Sequence, residues 1–215
     1  MRMRNKKIRN NRRKLKKQVN VDNKKFILIF IAILFFLMGC ATKIVPVKTD
    51  KIEISDNFAL IKEKDYDLAI RHKEWNQNPK NLNTYFVTFY VILRNKSDKK
   101  IELDMNSFNL LDSEQEQYSL YTSDEVIDVV YPYRDYFDEK YPLIPRSPNE
   151  LLDIEDQFQT RDTGIKNIRF DSFTFNHLLP NATKRGYIFF EDFEIVEKTN
   201  IKIIYKDHTI TFWVE

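Results

Sequence analysis

The 215-residue chain has little cysteine, histidine and glycine, and each shortage excludes a class of chemistry. Cys40 is the single cysteine, so a disulfide framework and a thiolate metal cluster are both excluded. The three histidines, His72, His177 and His208, form no HxH or HExxH motif. The chain has three glycines, one of them Gly39, which leaves no glycine-rich loop to cradle a phosphate. We therefore predict no metal ion, no cofactor and no thiol catalysis.

The first 39 residues join a basic segment to a short apolar one. Residues 1–25 hold twelve Lys or Arg and one acid, and residues 26–39 (FILIFIAILFFLMG) carry no charge. A helix of this apolar length reaches only ~21 Å, whereas a bilayer core of ~30 Å needs ~20 apolar residues. The pattern is typical of an export signal. We predict that 1–39 is a signal peptide, with an uncleaved membrane anchor as the alternative.

The residues before Cys40 resemble a processing motif. Leu37-Met38-Gly39-Cys40 is similar to the lipobox of bacterial lipoproteins. This resemblance implies that Cys40 receives a lipid, palmitate included, and becomes the mature N-terminus. Two or three acyl chains would then hold the protein firmly to a membrane. Because residue 41 is Ala and not Asp, the resemblance implies the outer membrane of a two-membrane host, or otherwise the outer face of the plasma membrane.

The charge of the chain changes sign once the signal peptide is removed. Residues 40–215 keep 23 basic and 31 acidic residues, a formal charge of −8. The basic run therefore belongs to the export signal and does not indicate a nucleic-acid partner. Residues 40–57 are polar and contain a proline, which predicts a lipidated tether between the membrane and a folded domain.

Residues 58–215 show the pattern of a single all-β domain. The clearest strand is 84–93, where apolar residues recur at period two and the opposite face is also largely apolar, as in a central strand. Further strands are predicted at 66–72, 101–103, 108–111, 118–120, 185–190, 201–205 and 209–214. Short strands separated by polar turns predict an antiparallel β-sandwich.

An acidic insertion at 121–163 interrupts this pattern with eleven acids and four bases. Ser147-Pro148-Asn149-Glu150 can begin a helix, predicted over 148–158. Tyrosines mixed with acids are typical of a recognition surface, because Tyr offers both apolar area and a hydroxyl. The predicted partner-binding residues are Tyr131, Tyr133, Asp135, Tyr136, Phe137, Asp138 and Tyr141. As alternatives, the aromatic residues cover an open sheet edge, or the acids bind calcium.

Three stretches, 86–98, 108–118 and 179–190, resemble the Ig-like domain of small secreted bacterial lipoproteins. The mycobacterial immunoprotective extracellular antigen has a related sandwich. The matching residues are Asn95, Phe108, Leu111, Asp112, Ser113, Tyr118, Pro180 and Gly186. Gln115 stands where the family hairpin has glycine, and the insertion is larger than in the family. The resemblance implies an Ig-like fold and an extracytoplasmic setting, and it carries no catalytic residues.

These patterns together predict a membrane-anchored lipoprotein of the cell envelope. Its domain is expected to be a non-enzymatic module that binds an envelope protein or glycan through 121–163. One alternative is a hydrolase that acts on envelope glycans through carboxylates of the insertion. Another is a passive structural lipoprotein.

Overall fold

The computed structural model describes residues 43–132 and 148–215, with the backbone alone for 148–158. The predicted signal peptide, Cys40 and most of the predicted partner-binding residues lie outside these ranges. Within them, no helix combines the length and the apolar character that a membrane crossing requires.

The described residues form thirteen strands and two α-helices. The strands are β1 (Ile44–Pro46), β2 (Glu53–Ser55), β3 (Phe58–Lys62), β4 (Tyr66–His72), β5 (Phe86–Asn95), β6 (Ile101–Glu102), β7 (Phe108–Leu111), β8 (Gln117–Tyr118), β9 (Leu120–Tyr121), β10 (His177–Leu178), β11 (Thr183–Glu191), β12 (Asn200–Tyr205) and β13 (His208–Val214). The helices are α1 (Ser123–Val130) and α2 (Pro148–Asp171).

Two antiparallel sheets face each other and enclose the main core. The five-stranded sheet has the order β1-β13-β12-β7-β8, and the six-stranded sheet has the order β2-β3-β4-β5-β11-β9. Buried residues alternate along the strands, as in β12, where Ile201, Ile203 and Tyr205 point inward. The predicted fold class, an all-β Ig-like antiparallel sandwich with a partly helical insertion, is confirmed.

Strand β5 is the central strand that the sequence pattern predicts. It pairs with β4 on one side and with β11 on the other. Phe89 and Val91 enter the main core, while Phe86 and Tyr90 face the opposite side, which is also covered. The strand spans 86–95, against a prediction of 84–93, because residues 82–84 form a 3-10 turn ahead of it.

The helices cover the outer face of the six-stranded sheet. Side chains from both helices, from the sheet and from the loop before β5 form a second core: Trp75, Leu82, Phe86, Val126, Ile127, Val130, Ile168, Tyr187 and Phe189. The described part of the insertion thus packs on a sheet face. Tyr133, Phe137 and Tyr141, which the alternative interpretation places over a sheet edge, lie outside the described residues. Helix α2 runs to Asp171, well beyond the predicted end at residue 158.

The sandwich begins inside the range predicted as a tether. Strand β1 pairs with β13, the last strand, from Ile44↔Val214 to Pro46↔Phe212. Ile44 is buried in the main core, and Ile52 is buried there as well. Proline is tolerated in β1 because an edge strand leaves one side of its backbone unpaired. Residues from Ile44 onward therefore belong to the domain, and the segment 40–57 is not a free linker over its whole length.

Candidate functional site

Tyr131 is the only predicted partner-binding residue inside the described ranges, and it serves the packing of the helices. It ends α1 with a hydrogen bond from its backbone N–H to the Ile127 carbonyl, 2.7 Å. Its phenol lies against α2 so closely that a Cβ at Gly164 would overlap the hydroxyl. The Arg161 guanidinium lies 5.9 Å from the ring centroid. Burial raises the pKa of Tyr131, opposed by the charge of Arg161. Tyr131 is therefore part of the scaffold.

The other six predicted residues, Tyr133, Asp135, Tyr136, Phe137, Asp138 and Tyr141, lie outside the described residues. Their role in binding stays a prediction.

Carboxylates at the start of α1 have structural partners. The Glu125 carboxylate accepts hydrogen bonds from the Thr122 backbone N–H and hydroxyl, at 2.7 and 2.8 Å, and the Glu125 N–H donates to the Thr122 hydroxyl. This is a capping box, which satisfies the free N–H groups of the first turn. Asp124 lies 3.3 Å from the Arg169 guanidinium of α2. Among the described residues, no three His, Cys, Asp or Glu side chains are grouped as metal ligands.

The turn of the β7–β8 hairpin holds a residue other than glycine in a conformation that favours glycine. Gln115 has a φ of 68°, in the left-handed region that glycine adopts at least cost. The Asp112 carboxylate accepts hydrogen bonds from the backbone N–H groups of Glu114 and Glu116, at 2.8 and 2.9 Å, and so holds the turn together. Partial burial and the carboxylates of Asp112 and Glu116 raise the pKa of Tyr118 to about 12. The matching residues here are structural.

The outer face of the five-stranded sheet differs in composition from the rest of the domain. Strand pairing and alternate burial place eleven side chains on it: Val45, Val47, Asn109, Leu111, Gln117, Asn200, Lys202, Ile204, Thr209, Thr211 and Trp213. The same alternation continues to Lys43 and Glu215, an exposed ion pair at the end of this face. Within the set of eleven, Lys202 is the one charged residue, although 31% of the whole chain is charged. Its ammonium donates to the Gln115 side-chain carbonyl at 3.3 Å. We call this set the uncharged face.

Trp213 is the largest side chain of the uncharged face. It is 36% exposed and lies opposite Val45 on one side and Asn200 on the other. The second tryptophan, Trp75, is 3% exposed in the second core. Sequence reasoning missed the uncharged face, although the alternation in 209–213 (TITFW) assigns Thr209, Thr211 and Trp213 to one side of a strand.

Phe170 on α2 is another exposed aromatic residue, 79% exposed. Its neighbours along the helix include Asp162, Lys166 and Arg169, which line a surface depression together with it. Its surroundings are charged, in contrast to those of Trp213.

The described chain thus defines a class of protein, an Ig-like β-sandwich with helices on one outer face and few charged side chains on the other. No protein-family model matches the sequence, and neither does any curated protein. Among solved structures, the chain is similar to a functionally unknown protein from Listeria monocytogenes EGD-e, with 14% sequence identity and a TM-score of 0.31. That match covers 77% of this chain and 74% of the Listeria protein.

Proposed function

We propose that the protein is an extracytoplasmic lipoprotein, held to a membrane by lipid on Cys40, whose sandwich is a non-enzymatic binding or structural module of the cell envelope. The observation that carries this proposal is the position of β1. Within the described residues, the first strand begins at Ile44, four residues after the cysteine of the lipobox-like motif. A signal peptide ending at Gly39 would therefore be followed almost at once by the domain it exports.

The distance between lipid and domain is short. Four residues span at most ~14 Å when fully extended. A domain of this length has a radius of gyration of ~15 Å. The proposed anchor therefore keeps the sandwich in contact with the membrane surface. The segment between Cys40 and the domain is too short to act as a flexible linker.

The anchor is tested by metabolic labelling with an alkyne-bearing palmitate analogue in a bacterium that processes lipoproteins. We expect label on the wild-type chain in the membrane fraction and no label on Cys40→Ser, because the thiol is the acceptor. Ala41→Ser is the matched control and should retain the label. An unlabelled wild-type chain that stays in the membrane would instead support the uncleaved anchor.

The binding module is tested separately by crosslinking in cells. We expect a defined envelope partner to be captured by the wild type and lost when Tyr133, Tyr136, Phe137 and Tyr141 are all changed to Ser. Phe170→Ser, an aromatic change of the same kind on α2, is the control that should keep the partner. Deleting the whole of 121–163 is not a suitable control, because the deletion removes α1 and uncovers the second core. The same partner yield from all three chains would contradict this surface.

A further inference from the structure

We infer that the uncharged face lies against the lipid headgroups, with Trp213 in the membrane interface, so that the anchored domain has one fixed orientation. This inference rests on the proposed lipidation of Cys40. It adds a partner, the lipid surface, for a face of the sheet that the proposed function leaves unassigned.

The uncharged face begins a few residues after the proposed anchor in the sequence. Val45 follows Cys40 by five residues and is the first uncharged side chain of this face, after Lys43. Trp213 stands opposite Val45 on the neighbouring strand, where paired Cα atoms are ~5 Å apart. A short attachment at one corner of a sheet leaves few surfaces that can reach the bilayer. The sheet face that starts at this corner is one of them.

The end of the sandwich where β1 begins is less suited to membrane contact than the uncharged face. Strand pairing brings the β7–β8 hairpin to that end, and its tip carries Asp112, Glu114 and Glu116. Bacterial and other membranes with anionic lipids have a negative surface potential, which repels carboxylates. An end-on orientation would press this acidic hairpin onto the headgroups. Resting on the uncharged face avoids that repulsion.

The composition of the uncharged face also suits the membrane interface. Trp is enriched at the level of the headgroups because its ring is apolar and its N–H is polar. Val45, Val47, Leu111 and Ile204 add apolar area, while the Thr, Asn and Gln side chains can hydrogen-bond with headgroups and interfacial water. At the corner itself, Lys43 and Glu215 lie 3.7 Å apart and neutralise one another. In a domain of charge −8, this is a surface that can approach lipid without a large electrostatic cost.

The test attaches the domain to vesicles without using the cell's own lipidation. Both hydrophobic cores are built from residues 44–214, so residues 40–215 contain the complete sandwich. Cys40 is the only cysteine and can be coupled to a maleimide-headgroup lipid in vesicles of phosphatidylglycerol and brominated phosphatidylcholine. Bromine quenches tryptophan emission at short range. The matched reporter is Trp213→Phe with Phe170→Trp, which moves the exposed tryptophan to α2, over the other sheet.

We expect the emission of Trp213 to fall at least twofold on brominated vesicles relative to unbrominated ones. Trp213→Phe alone reports buried Trp75 and should show little quenching, and the Phe170→Trp reporter should behave in the same way. Equal quenching at positions 213 and 170, or none at Trp213, would overturn the inference. Because coupling is chemical, that result would leave the lipidation of Cys40 untouched, and a failure of palmitate labelling would not alter this experiment.

Discussion

Gly186→Ala is expected to be the most destabilising single-methyl change in the domain. A Cβ at Gly186 would lie 2.5 Å from the Phe173 nitrogen and 2.6 Å from the Ser172 carbonyl carbon, both of them backbone atoms. These atoms cannot retreat freely, because the Phe173 N–H donates to the Tyr187 carbonyl at 2.7 Å and Ser172 bridges to Tyr187. We expect the free energy of unfolding to fall by about 3 kcal/mol or more, the cost of forcing atoms into a filled site.

Gly164→Ala is the matched control for this experiment. Its added methyl would meet the end of the Tyr131 side chain, which can rotate away, and alanine is favoured over glycine within a helix by about 1 kcal/mol. Urea unfolding followed by circular dichroism measures both variants. A change within about 1 kcal/mol for Gly164→Ala, beside the large loss for Gly186→Ala, would confirm the backbone contact. Equal losses would contradict it.

Asn95→Ala is expected to cost about 3 kcal/mol of stability, through lost hydrogen bonds. Asn95 is fully buried at the end of β5. Its side-chain amide N–H groups point to the carbonyls of Lys99, Leu178 and Leu179, at 2.7 to 3.1 Å. Its amide oxygen accepts from the Ser97 N–H and hydroxyl, at 2.9 and 2.8 Å. Removing this side chain leaves several backbone groups without partners, and each such group in a buried site costs about 1–3 kcal/mol.

Asn95→Asp separates the hydrogen bonds from the volume of the side chain. The carboxylate has the same shape but cannot donate, and it would face three carbonyl oxygens. Its pKa in the folded state should therefore rise above the unfolded value. This variant should therefore be more stable near pH 4, where its carboxyl group is protonated. It should lose stability as the pH rises toward 7. Asn109→Ala, which removes two exposed hydrogen bonds, one donated to the Asn106 carbonyl and one accepted from the Gln117 side chain, is the control expected to lose less than about 1 kcal/mol. An Asn95→Asp variant whose free energy of unfolding does not change with pH would contradict this account.

The strands with strong alternation could be predicted from the sequence, and the reason is physical. In 66–72 and 201–205, the apolar residues at period two are the ones that enter the core, so pattern and structure agree. Strand β1 was missed because it has three residues, contains Pro46 and is flanked by lysines. Its place is decided by pairing with β13, some 170 residues later. A local sequence pattern cannot predict such a long-range pairing.

The two helices show which local sequence patterns predicted helical structure and which were overlooked. The start of α2 agrees with Pro148, but its extension to Asp171 was missed, because beyond 158 it is mostly polar and buries few residues, such as Ile168. Helix α1 was missed altogether, although Thr122 and Glu125 form the Thr-x-x-Glu spacing of a capping box. Composition alone could not predict that Tyr131 packs on Gly164. Its role in partner binding stays a prediction.

The pairing of the first strand with the last has a consequence for biogenesis. The main core stays open along β13 until residues near Val214 are available to meet Ile44. Contacts so distant in sequence form late, since a long loop must be closed before they are made. A chain threaded through a membrane pore must remain unfolded until it has passed. In the proposed export route, the topology itself would delay folding until translocation is complete, and it would leave the C-terminus beside the lipid when the sheet finally closes.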